Sequence, residues 1–140
     1  MTDSSITAAE LIARLDLAPH HEGGWFRRTW TAPAPEGQRP PASAVHYLLE
    51  AHEISRWHRI DADELWLWQG GAPLELSLAP GDSGPVTSAE LGPLSPQVLV
   101  PAHHWQTARP LGGWTLVSCV VSPAFDFAGW ELAEDGWVPG

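Results

Sequence analysis

Ser55-Arg56-Trp57-His58-Arg59-Ile60-Asp61-Ala62-Asp63-Glu64-Leu65-Trp66-Leu67-Trp68-Gln69-Gly70 is the stretch on which the fold turns. Aromatic and branched residues alternate with polar ones on both sides of Asp61-Ala62-Asp63, so the period is two and the segment reads as strand, turn, strand. His58 and Ile60 then share one face of the first strand. Glu64, Trp66 and Trp68 share one face of the second, and a hairpin at Asp61 to Asp63 brings the faces together. An imidazole and a carboxylate meet there against an indole wall. Such a pair can hold a metal, or act as general base and acid once burial and mutual charge move their pKa values. The plainer alternative is a hydrogen bond that only stiffens the hairpin.

Outward from this segment the same grammar repeats. Ala44 to Glu50, Leu74 to Ala79, Val86 to Leu91, Gln97 to Val100 and Trp114 to Val121 are short apolar runs. Gly70-Gly71, Pro80-Gly81, Gly84-Pro85, Gly92-Pro93 and Gly112-Gly113 punctuate them. Strands at this spacing without further helical periodicity predict an antiparallel sandwich or barrel. Nine Trp with fourteen Pro and thirteen Gly agree, since aromatic residues favour strands and Pro and Gly favour turns. Ahead of the strands, Thr7-Ala8-Ala9-Glu10 has the form of a capping box, and Leu11, Ile12 and Leu15 recur at helical spacing, which predicts one short N-terminal helix. Trp25 to Thr31 reads as a strand. Ala32 to Pro41, with four prolines and a glycine, reads as a surface loop with freedom to move.

The 140 residues suit one compact domain spanning the chain, 1-140. A single cysteine, Cys119, in the apolar run Leu116 to Val121, reads as a packing residue and not a nucleophile. A reducing, cytoplasmic setting is expected. Seven basic against seventeen acidic side chains give a formal charge of -10, which repels nucleic acid and anionic lipid surfaces, and no run is apolar enough to span a membrane. The expected partner is a small molecule, with no nucleic acid and no membrane.

A second cluster, Pro101-Ala102-His103-His104-Trp105-Gln106, follows the run ending at Val100. A proline-led turn into a strand would aim Gln106 and at most one of the adjacent histidines at the same interior as His58. Together the two clusters resemble the two motifs of the cupin superfamily. His58 matches the first histidine of the first motif, Glu64 its glutamate and Gly70 its glycine. Ile60 stands at the second histidine position, Gln106 at the third, and His103 replaces a glycine, so two of four usual metal-ligand positions are altered.

The chain is more specifically similar to the small single-domain cupin 5 family, once of unknown function and often compared with sugar epimerases. That likeness runs from Leu11 to about Ala133 through His20-His21-Glu22-Gly23-Gly24-Trp25-Phe26-Arg27, Ser55 to Glu64, Gly70, Pro73-Leu74-Glu75-Leu76, Pro101, Trp105-Gln106 and Ser122-Pro123-Ala124-Phe125-Asp126-Phe127. It implies an all-β cupin jelly-roll barrel, a homodimer, and a pocket lined by Arg27, His58, Glu64 and Gln106. Arg28 stands where an acidic residue is usual, and His46 where tyrosine is common.

Three functions compete. In the first, an isomerase, epimerase or lyase, His58 abstracts a proton, Glu64 orients it, and Arg27 or Gln106 stabilises the anion. Substrate contacts are expected from His46, Tyr47, Trp66, Trp68 and Gln106. In the second, His58, Glu64 and Gln106 hold one divalent metal ion. In the third, the tryptophans Trp57, Trp66, Trp68 and Trp105, about two of which should line the pocket, hold a sugar or metabolite without chemistry. Arg27 is equally readable as a structural partner of Glu22, and Asp126 as a turn-former.

Overall fold

The computed structural model describes residues 6–140. The expected helix is present as α1 (Ala8–Arg14), with Thr7 as N-cap and the Thr7–Glu10 capping box formed in both directions. Eleven strands follow: β1 (Ala18–Pro19), β2 (Trp25–Thr31), β3 (Ser43–Leu49), β4 (Ser55–Ile60), β5 (Asp63–Gly71), β6 (Leu74–Ala79), β7 (Thr87–Leu91), β8 (Gln97–Val100), β9 (Trp105–Pro110), β10 (Thr115–Ser122) and β11 (Trp130–Leu132). They form two antiparallel sheets, the larger in the order β1-β2-β3-β10-β5-β8 and the smaller β11-β4-β9-β6-β7. This is an all-β fold of two antiparallel sheets with a short N-terminal helix, the architecture that the cupin resemblance implies.

Chain-adjacent β4 and β5 lie in different sheets. The expected hairpin is therefore not one. At Asp61-Ala62 the chain crosses from the smaller sheet to the larger, so the faces carrying His58 and Glu64 oppose each other across the interior. Inward alternation still holds: His58, Ile60, Glu64 and Trp66 are all buried. Tyr47, Leu49, Trp66, Leu74, Leu76, Leu91, Val100, Val117 and Cys119 fill the core between the sheets. Each fully buried Leu contributes roughly 1.5–3 kcal/mol relative to exposure, and this closes one end of the barrel. The other end stays open.

Two segments were not expected. Strand β11 pairs with β4, Trp130 opposite Ile60 and Leu132 opposite His58, and covers an edge of the smaller sheet. The loop between β2 and β3, expected to be free, is tied down. Arg39 donates to both Asp61 carboxylate oxygens at 2.8 and 3.0 Å and through Nε to the Ala124 carbonyl at 2.8 Å. Ala124 N–H returns to the Pro40 carbonyl at 3.0 Å, and Ser122 Oγ donates to that of Pro41.

Candidate functional site

The open end of the barrel is a cavity of about 760 Å³. Its depths are built by β3, β4, β5 and β10, which present Tyr47, His58, Ile60, Glu64, Trp66 and Cys119, and its mouth by the tethered loop and the Ala124–Phe127 segment. Sequence reasoning missed Glu22, which is buried in the turn between β1 and β2. The turn is narrow because Gly23 and Gly24 both take positive φ, 108° and 78°. That conformation suits glycine. His20 N–H donates to Gly24, Arg56 N–H to the Glu22 carbonyl, and Tyr47 Oη to the Gly23 carbonyl, so the turn is fixed from three sides.

Glu22 and His58 make the central pair, with Oε2 3.3 Å from Nε2. On the far side of the ring, His58 Nδ1 lies 2.7 Å from the Arg56 carbonyl, which can only accept, so Nδ1 carries its hydrogen and Nε2 is the nitrogen free to exchange a proton. Ser55 Oγ donates to Glu22 Oε1 at 3.2 Å and Trp130 Nε1 to Oε2 at 3.3 Å. The carboxylate is thus seated in donors. His20 contacts Glu22 differently: its Nδ1 accepts the Glu22 backbone N–H at 3.1 Å, which makes the 3.8 Å approach to the carboxylate a contact between two acceptors and not an ion pair. Burial among Phe26, Tyr47 and Trp130 lowers the His20 pKa and keeps it neutral, although Glu22 pulls the other way.

Glu64 sits on the opposite wall. Burial pushes its carboxyl above the usual carboxylate range, the charge of Glu22 adds to this, and His58 and the Gln106 amide oppose it. Gln106 lies behind Glu64: its Nε2 donates to Glu64 Oε1 at 2.9 Å and its Oε1 accepts Trp66 Nε1–H at 2.9 Å. A raised folded-state pKa favours the protonated form, so Glu64 stabilises the fold fully below its unfolded value near 4.5, and that contribution is lost as pH rises through the folded value. The neutral isostere Glu64→Gln is accordingly expected to unfold at a higher temperature than the parent at pH 8 and to lose this advantage at pH 4. Thermal melts across that range check it; parallel curves at all pH values would show that folding does not raise the Glu64 pKa.

Several expected site residues fall elsewhere, and one register explains two of them. Strand β2 pairs with β3 so that Phe26 opposes Tyr47, Arg27 opposes His46, and Arg28 opposes Val45. Tyr47 and Val45 face the cavity, hence so do Phe26 and Arg28. Arg27 and His46 are partners on the outer face, His46 also lying 3.5 Å from Ser118 Oγ, and neither borders the cavity. The expected Arg27–Glu22 pair is not formed. Trp68 packs beyond the cavity against the closed core with its indole on the Ala72 carbonyl. Trp57 and Trp105 belong to a separate cluster with Ala79 and Ala133, leaving Trp66 as the one of the four that lines the cavity. Neither His103 nor His104 reaches it: the turn is set by left-handed His103, at φ 69°, ahead of β9. Cys119 is buried as expected, its thiol pushed well up by burial and by Glu64. Asp126 does form a turn, accepting Ala128 N–H at the start of the 3-10 helix Phe127–Gly129.

The metal expected on His58, Glu64 and Gln106 does not fit this donor set. Gln106 has its carbonyl oxygen on Trp66 and does not line the cavity, which leaves His58 and Glu64 as two of the expected three ligands. Among the described residues, the group of three acidic or histidine side chains whose ligand atoms fall within 4.8 Å of one another is Glu50, His52 and Glu53, at the β3–β4 turn and away from the cavity.

The family model described as Cupin_5, cupin superfamily (DUF985), matches residues 9–133. The chain belongs to this cupin family. A Shewanella oneidensis protein of solved structure is 33% identical over 92% of this chain and 85% of its own, with a TM-score of 0.85. A hypothetical protein from Leishmania major is 26% identical over 94% of this chain and 90% of its own, at 0.84. More distantly, a dTDP sugar isomerase from Desulfovibrio desulfuricans shares the fold at 18% identity, 81% and 83% coverage and a TM-score of 0.62. No curated protein matches. Among the cupin's described residues no helix is long and apolar enough to cross a membrane.

Proposed function

We propose that this cupin is an acid–base enzyme of the isomerase, epimerase or lyase type, acting on a small molecule held between its two sheets. The observation that carries this reading is the placement of His58 and Glu64 on opposing walls of one cavity, with burial holding the Glu64 carboxyl above the usual carboxylate range. His58 Nε2 takes a proton from an acidic C–H, and Glu22, seated on Ser55 and Trp130, stabilises the imidazolium. Glu64, with Oε1 on Gln106 and the Cys119 thiol beside its carboxyl, returns a proton from the opposite side. Return to the same carbon inverts it; return to an adjacent oxygen or carbon isomerises it. Tyr47, Ile60 and Trp66 surround the pair with largely apolar surface, which strengthens the electrostatics of both transfers.

Incubation in D2O with small hydroxy acids, oxo acids and sugar nucleotides, followed by proton NMR, tests the reading. Loss of a C–H signal from a bound compound is expected. Calorimetric binding of several compounds with no exchange or conversion in any would replace the enzyme by a non-catalytic binding module.

We further propose that the outer face of the larger sheet packs against a second copy. Leu99, Leu65, Val120, Ala44 and Trp30 oppose one another directly across five strands, with Leu99 54% and Trp30 50% exposed. A continuous apolar row suits a self-complementary two-fold contact. Sedimentation of Leu65→Asp is expected to give the monomer mass and that of the parent twice it; a monomeric parent refutes the dimer.

A further inference from the structure

We propose that the cavity selects organic monocarboxylates, and that Arg28 at its mouth takes the carboxylate. The inference deepens the reading of this same site but stands on binding alone. Two cationic side chains that are charged at every physiological pH line the cavity, Arg28 and Arg39. Arg39 is consumed: Asp61 neutralises it with two hydrogen bonds, and its Nε holds Ala124. Arg28 is oriented without being neutralised. Its Nη2 donates to the carbonyl of Phe125, and among the described residues it has no carboxylate within ion-pair distance. A guanidinium carries five donors in a rigid fork, so one backbone contact fixes the plane and leaves an edge for a bidentate oxyanion.

The surroundings narrow the class of anion. Phe26, one pleat away on the same face of β2, and Phe125 and Phe127, edge to face at 4.8 Å, give the ligand body an apolar wall. Glu22, Glu64 and Asp126 line the same cavity. Arg28 supplies the single cationic charge there that no carboxylate neutralises. A carboxylate is matched by that charge, whereas a phosphate dianion brings a second negative charge into a space already bordered by carboxyl groups. With the carboxylate on Arg28, the body of the ligand extends inward toward His58.

Calorimetric titration of the full chain with phenylacetate and with its neutral isostere phenylacetamide tests the assignment. The parent is expected to prefer the carboxylate by about tenfold or more, the scale of a charge-assisted hydrogen-bonded pair. Arg28→Gln should abolish that preference and Arg28→Lys retain part of it. Arg27→Gln removes the same formal charge from the outer face of the same strand and should leave the preference intact. Equal loss in Arg27→Gln would assign the effect to the general field of the protein. Preference that survives Arg28→Gln, or no phenylacetate binding at millimolar concentration, would each overturn the proposal. Carboxylate preference without C–H exchange in any compound would remove the acid–base reading and leave this one standing.

Discussion

Gly23→Ala is expected to destabilise the protein by on the order of 4 kcal/mol, at the severe end for a single substitution. A Cβ at this position would lie 2.1 Å from the Ile54 carbonyl oxygen, and the backbone φ of 108° is one that L side chains rarely adopt. Neither neighbour is a side chain that can swing away. Relief requires that the β1–β2 turn separate from the segment entering β4, and that separation would carry Glu22 off His58 and break the Tyr47 hydrogen bond to Gly23. Gly37 provides the comparison: its φ is 81°, but nothing lies within 4 Å of its would-be Cβ. Gly37→Ala should therefore cost only the conformational strain, roughly 1–2 kcal/mol. Urea unfolding of both variants separates strain from collision. If the two lose the same amount, the turn is looser than its contacts indicate.

His58→Asn is expected to lower turnover on the order of 10²- to 10⁴-fold, the contribution of a positioned general base. Asparagine removes the only exchangeable ring nitrogen facing Glu22 while filling part of the space. Glu22 keeps its donors from Ser55 and Trp130, so the folding penalty should stay near 1–3 kcal/mol, the cost of one lost partner for a buried charged group. Glu22→Gln acts through His58 and should move the pH dependence of turnover more than substrate affinity. The decisive comparison is the solvent-exchange rate of a bound substrate's C–H in the parent and in His58→Asn under saturation. An unchanged rate would show that His58 only braces the barrel, and the search for a base would pass to Glu64.

Where local alternation decides a side chain's direction, the chain is readable from its residues. His58, Ile60, Glu64 and Trp66 turn inward as their period of two requires, and the Thr7 capping box starts α1 at Ala8. What alternation lacks is an absolute phase. Arg27 and Arg28 are adjacent charged residues on one strand, and only pairing with β3 decides which meets the cavity; the same pairing turns His46 outward. Nor can periodicity describe residues outside regular structure. Glu22 lies in a two-glycine turn, where an acid is ordinarily solvated, so nothing in its local pattern marks it as buried. Sheet membership is likewise non-local: Asp61 to Asp63 has the composition of a hairpin turn, but β4 finds its partners in β9 and β11 and β5 in β8 and β10.

The distribution of indoles also sets how this protein can be observed. Of nine tryptophans, Trp66 alone borders the cavity. Bulk emission is consequently a poor reporter of occupancy, because eight spectators contribute a background that a ligand in the barrel does not contact. Trp66 itself offers a resolved signal of another kind: its indole proton is fixed on Gln106, which in turn holds Glu64. In a nitrogen-labelled sample that single indole resonance would respond to ligand entry and to the protonation of Glu64 through one intervening amide.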